Sequence, residues 1–115
     1  MARMRLRWIA AIFCAVLCFS LSACRKNDMR TIDVSVPQMK NEACAKKIAE
    51  AIYRLGGIQR ESLQFDLAKR SASLTYDSMV LARKNIEFAI ANAGFAANEV
   101  PANAEAAAKL PDECR

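Results

Sequence analysis

An α+β fold, with two helices laid on one face of an antiparallel sheet, is what the sequence beyond about residue 30 predicts, and three observations predict it. Ile32, Val34 and Val36, then Leu63, Phe65 and Leu67, then Ala72, Leu74 and Tyr76 alternate with polar residues, the period of half-buried strands. Between and after them the apolar period switches to helical spacing, at Cys44, Ile48, Ile52 and Leu55 and again at Met79, Ala82, Ile86, Ile90 and Ala93. The two helical segments also repeat one another. Lys46-Lys47-Ile48-Ala49-Glu50-Ala51-Ile52 matches Lys84-Asn85-Ile86-Glu87-Phe88-Ala89-Ile90, and Gly57-Ile58 is echoed by Gly94-Phe95.

Residues 1–23 read as a targeting leader rather than as fold. Arg3, Arg5 and Arg7 precede an apolar run from Trp8 to Leu21, and Leu21-Ser22-Ala23-Cys24 has the form of a bacterial lipoprotein cleavage box. In this reading Cys24 is the lipidated first residue of the mature chain. An ordinary signal cut after Ala23, leaving Cys24 a plain thiol, is the alternative. A membrane span would need about 20 apolar residues, and Ser20, Ser22 and the cluster Arg25-Lys26-Asn27-Asp28 close the window first.

Residues 24–30 form a short polar tether. A strand follows at Ile32 to Val36, ended by Pro37, and Asn41 caps a first helix that stops at Gly56-Gly57. A polar turn at Ala68-Lys69-Arg70 joins the next two strands into a hairpin, and Ser78 is placed to cap the second helix, terminated by Gly94. Phe95 to Val100 is the candidate for a last strand. The order strand, helix, strand, strand, helix, strand, built from two copies of one split unit, makes a ferredoxin-like βαββαβ sandwich with a four-stranded antiparallel sheet over residues 31–101. Residues 102–115 are a short C-terminal tail.

The charge and cysteine content narrows the chemistry. The 17 Lys and Arg against 12 Asp and Glu become 14 against 12 once Arg3, Arg5 and Arg7 leave with the leader. The remaining charges are interspersed with few aromatics, so no nucleic-acid surface is expected. Histidine is absent, which removes Ser-His, Cys-His and His-rich metal schemes, and no enzymatic turnover is expected. Of the five cysteines, Cys14 and Cys18 lie in the leader and Cys24 is committed to lipid, leaving Cys44 and Cys114 in a chain exported to an oxidising compartment. Two such thiols can pair or share a metal.

Met39 after the first strand, Cys44 in the first turn of a helix, Leu55-Gly56-Gly57-Ile58, Leu74-Thr75-Tyr76-Asp77 and Ala93-Gly94-Phe95 together resemble the heavy-metal-associated domain over Met29 to Pro101. That family comprises copper chaperones, periplasmic mercury-binding proteins and modules of metal-pumping ATPases. Its usual Met-x-Cys-x-x-Cys is altered here: in Met39-Lys40-Asn41-Glu42-Ala43-Cys44 the second cysteine maps to Cys44 and Asn41 stands at the first.

The resemblance implies a soft-metal site, Cu(I) first and Hg(II) or Zn(II) after it, because thiolates in near-linear geometry suit Cu(I) and disfavour hard cations. The tail Leu110-Pro111-Asp112-Glu113-Cys114-Arg115 resembles an extension of bacterial members of the family and offers Cys114 as the second ligand. At about the third position of its helix, Cys44 feels the positive end of the dipole, and Lys40 and Lys47 also favour its thiolate. A plain core role for Cys44, in phase with Ile48 and Ile52, stands beside this reading. Met39 supports the loop from below, Asn41 serves as N-cap, and Phe95 shields the site.

The expected function is binding, sequestration or transfer of a soft metal ion by a membrane-tethered, periplasm-facing lipoprotein. The expected partners are a metal-transporting ATPase or a similar metal-binding domain. Arg25 stands where an aspartate would resemble an inner-membrane retention signal, which favours the outer membrane. The alternative is a degenerate metal domain in which a Cys44–Cys114 disulfide is structural and the surface binds protein.

Overall fold

The repeated strand and helix pattern folds around β3 (Ser71–Asp77), which carries β1 (Met29–Ser35) on one side and β2 (Ile58–Asp66) on the other, both antiparallel. A computed structural model describes residues 2–20 and 26–115 of the chain. Ala2–Ser20 forms α1, and among the described residues no helix is long and apolar enough to cross a membrane. Leu21 to Cys24, with the proposed lipidation site, lie outside the described residues.

Alternation in β3 is complete: Ala72, Leu74 and Tyr76 are buried and the residues between them are not. β1 pairs with β3 along its full length, from Met29 opposite Asp77 to Ser35 opposite Ser71. β2 is less regular, because its register shifts between Gln59 and Gln64. At that bulge the Thr75 N–H would lose its ladder partner, and the Ser62 hydroxyl accepts it instead at 2.8 Å.

The buried side of the sheet faces α2 (Glu42–Tyr53) and α3 (Arg83–Asn92). Ile48 and Ile52 from α2 and Ile86 and Ile90 from α3 are fully buried against Val34, Val36 and Leu74. This is the arrangement the repeated helices predicted. A short helix α4 (Ala104–Ala108) and a 3-10 turn (Asp112–Cys114) then carry the tail back over the core, where Leu110 and Cys114 are also buried.

Two glycines allow the turns that close this layer. Gly57 (φ +86°) lies against Val80, whose Cβ would be 2.9 Å from any Cβ added there. Gly94 (φ +104°) lies under the tail, where a Cβ would come within 2.9 Å of the Ala107 nitrogen and of the Leu110 side chain. Both the left-handed backbone and the close approach demand glycine.

Two expectations are corrected. The described residues form a three-stranded sheet, not four: Phe95 to Val100 holds an isolated bridge between Ala97 and Val100 and no strand. Asn98, in left-handed backbone at φ +50°, turns the chain away, and Pro101 has no N–H to continue a ladder. Asn98 leaves a single rung on the β1 edge, donating its N–H to the Ser35 carbonyl and accepting the Ser35 N–H on Oδ1, each at 2.9 Å. Phe95 and Ala97 are instead fully buried core residues.

The second correction concerns the start of α3, which lies at Arg83 rather than after Ser78. The Asp77 carboxylate accepts the Met79 N–H at 2.9 Å and its carbonyl accepts the N–H groups of Val80 and Leu81, forming a turn that delays the helix. Asn85 then caps backwards, its Oδ1 accepting the Ala82 N–H at 2.8 Å. Ser78 bonds Asp28 instead, and Met79, expected on the apolar face, is 65% exposed.

Candidate metal-binding loop and the Cys44–Cys114 bridge

β1 delivers the chain to the loop Pro37 to Asn41, which sits beside the hairpin turn. The Val36 N–H donates to the Arg70 carbonyl at 2.8 Å, and the Arg70 guanidinium returns to the Pro37 carbonyl at 2.9 Å. Met39 in this loop is fully buried in the core. The Gln38 side chain accepts the Ala96 N–H at 2.7 Å and so ties the loop to the segment that buries Phe95.

Asn41, in extended backbone, caps α2 by accepting the Cys44 N–H on Oδ1 at 3.0 Å. Glu42 is the first helical residue, which puts Cys44 third, over the positive end of the helix. The tail reaches the same place from the other side. Cys44 and Cys114, 70 residues apart in sequence, are joined by a disulfide with their Cα atoms 5.7 Å apart.

A clasp surrounds that bridge. The Lys40 ammonium donates to the Arg115 carbonyl, and the Asn41 amide donates to a Glu113 carboxylate oxygen at 3.3 Å. The Glu113 carbonyl oxygen lies 3.7 Å from Cys44 Sγ. The Arg115 guanidinium folds back onto the carbonyls of Leu110, at 3.1 Å, and Ala108, at 2.9 Å. Under this cover both cysteines are buried, Cys44 at 0% and Cys114 at 1% exposure. Among the described residues Cys14 is a free, exposed cysteine, and no three or more His, Cys, Asp or Glu side chains converge to hold a metal.

Sequence reasoning missed the groups that place the tail. Glu87 is 2% exposed and holds Arg83 at 3.3 Å, Lys84 at 2.9 Å and the Asn98 amide at 3.1 Å. Burial pushes its carboxyl up, but hydrogen bonds from Lys84 and Asn98 and the charges of Lys84 and Arg83 outweigh burial and hold it below its ordinary value. Through Asn98 this carboxylate fixes where the chain leaves the sheet. The Arg83/Lys84/Glu87 spacing was the available signal, since i,i+3 and i,i+4 pairs meet on a helix.

The fold of sheet and helices recurs in solved structures. Oxidised MerP from Ralstonia metallidurans CH34 is 25% identical, covering 62% of this chain and 96% of its own, with a TM-score of 0.57. A putative copper-ion-binding protein from Bacillus anthracis strain Ames is also 25% identical, covering 64% of this chain and all of its own, with a TM-score of 0.57. The N-terminal domain of PacS from Synechocystis PCC6803 is 29% identical over 60% of this chain and 94% of its own, with a TM-score of 0.52. Among curated proteins no sequence match was found. The pattern of the heavy-metal-associated domain matches residues 33–96, more than half of the chain and nearly all of the sheet-and-helix unit, and the chain therefore belongs to the heavy-metal-associated domain family.

Proposed function

We propose that this chain binds a soft metal ion, Cu(I) first, through Cys44 and Cys114 in their reduced form, and sequesters it or hands it to a partner at the membrane surface. The observation that carries the reading is the arrival of two distant cysteines at the loop after the first strand, in a fold whose relatives include a copper-ion-binding protein and MerP. A dithiol reductant, oxidised to its own disulfide, supplies the two electrons and two protons that convert the bridge into thiols. Each thiol loses its proton on binding the ion, and a thiolate pair gives Cu(I) the near-linear coordination it favours. The disulfide is then the oxidised form of the site.

Lipidation of Cys24 would place this exchange in the cell envelope, facing the periplasm, with the outer membrane favoured. The fitting partners are a metal-transporting ATPase or another domain of this kind. A second reading is favoured by the burial of both sulfurs: the bridge is a permanent brace and the surface binds protein.

Native mass measurement of the full chain in detergent, with and without reductant and with Cu(I) offered, separates the two. Metal binding predicts a Cu(I) adduct after reduction that is lost in both Cys44→Ser and Cys114→Ser. A reduced, folded chain that takes up no Cu(I) at these residues would leave the structural bridge.

A further inference from the structure

We infer that the end of the domain where the tether enters docks on the lipid surface that holds its anchor through Met79 and Val80, with the Cys44 loop held at the opposite end, away from the bilayer. The inference rests on the lipoprotein reading of Cys24. Asp28 is four residue steps beyond Cys24, so at about 3.3–3.6 Å per residue the lipidated residue cannot be more than about 14 Å from Asp28. Asp28 is in turn fastened to the turn after β3. Its N–H donates to Asp77 Oδ1 at 3.1 Å, its carbonyl accepts the Ser78 N–H at 2.8 Å, and its Oδ2 accepts the Ser78 hydroxyl at 2.6 Å. The turn that follows is thereby confined to the neighbourhood of the anchor.

The next two residues of that turn are the exposed ones. Met79 is 65% and Val80 is 62% exposed, and Met29, beside the same turn, is 45% exposed. Val80 backs onto Gly57, where no side chain could fit, so the turn is braced from behind. Lys26 is exposed on the tether, and the Arg30 side chain, paired with Asp28, is more than half exposed at the same end. Exposed apolar side chains held this close to a lipidated residue are placed to enter the headgroup boundary.

Geometry fixes the other end. β1 runs from Met29 at the tether to Ser35 just before the Pro37–Asn41 loop, a span of about 20 Å at about 3.3 Å per residue. A domain seated on Met79 and Val80 therefore turns the end that carries the cysteine loop and its covering tail toward the aqueous phase.

The test uses the full chain, produced in a bacterium and transferred in its processed form into vesicles of phosphatidylethanolamine and phosphatidylglycerol. Met79→Cys and, at the far hairpin turn, Lys69→Cys each carry a polarity-sensitive fluorophore, with nitroxide lipids as quencher and flotation as a separate readout. The expected result is a floating protein whose label at position 79 is blue-shifted and quenched several-fold more than that at position 69, the shift being lost when Val80→Asp is added. A floating protein with both labels in water, or both quenched alike, overturns the docking while the anchor stands, and leaves Met79 and Val80 to a protein partner. A protein that fails to float overturns the anchor and the docking together.

Discussion

Removing the bridge tests how far the Cys44–Cys114 disulfide braces the domain and how readily a reductant opens it. The loop it closes spans 70 residues, and in the chain-entropy model a loop of that length stabilises the folded state by ~4 kcal/mol. The clasp around it adds little, because Lys40 to Arg115 and Asn41 to Glu113 are exposed contacts. With a urea slope of about 1–2 kcal/mol per molar, the double variant Cys44→Ser/Cys114→Ser should unfold about 2–4 M earlier than the oxidised chain. Reductant should move the wild-type midpoint by the same amount and leave the variant where it is. That loss is smaller than the ~5–15 kcal/mol that holds a typical domain together, so the reduced domain should remain folded with its tail loosened. A wild-type midpoint that ignores reductant, or a variant as stable as the oxidised chain, would refute the reasoning.

The remaining expectations follow from single contacts. Ile48→Ala and Ile86→Ala, both at fully buried positions, should each cost about 2–5 kcal/mol in urea unfolding, and a loss under 1 kcal/mol at either would mean that helix is misplaced. Asn41→Cys restores the cysteine spacing of the family, so it should raise Cu(I) affinity and make Cys114 dispensable in a competition titration, although loss of the cap should lower stability by about 1 kcal/mol. Cys24→Ala should leave an unprocessed, unacylated precursor, read by intact mass. Glu87, whose carboxyl is held below its ordinary value, stabilises the fold above the unfolded-state pKa, and that contribution disappears as pH falls through the folded-state pKa. Glu87→Gln should therefore destabilise the chain at neutral pH, and its difference from wild type should shrink toward acid.

What could be read from the sequence was what local pattern encodes. Ile48 and Ile86 announced their burial because helical spacing puts one stripe of residues toward the sheet, and β3 announced its inner face by strict alternation. The Asn41 cap was legible for the same reason, since a cap is a property of adjacent residues. Where a long-range contact overrides local pattern, the reading failed. Met79 has the spacing of a helix residue, yet Asp77 engages the N–H groups that would have begun the helix, and Asp28, about fifty residues earlier, takes the Ser78 hydroxyl. Phe95 to Val100 has enough apolar residues for a strand, but Glu87 fixes Asn98 in a turn and Pro101 closes the ladder.

The candidate site lies between these cases. Cys44 could be placed by its helix, whereas Cys114 depends on a path no periodicity describes: Gly94 must be bare for Leu110 to pass over it, and Asn103 must donate its N–H to the Ala91 carbonyl at 2.9 Å for α4 to start where it does. The same tail that supplies the second sulfur also covers the first, so access to Cys44 and completion of the dithiol are coupled. An incoming partner cannot reach Cys44 while Glu113 and Cys114 lie over it, and the ion cannot be held by two sulfurs once the tail has left. If the sulfur pair holds the ion as proposed, transfer would begin with the tail lifting and a partner thiolate taking the place of Cys114, so that the six residues Leu110 to Arg115 would have to detach before release.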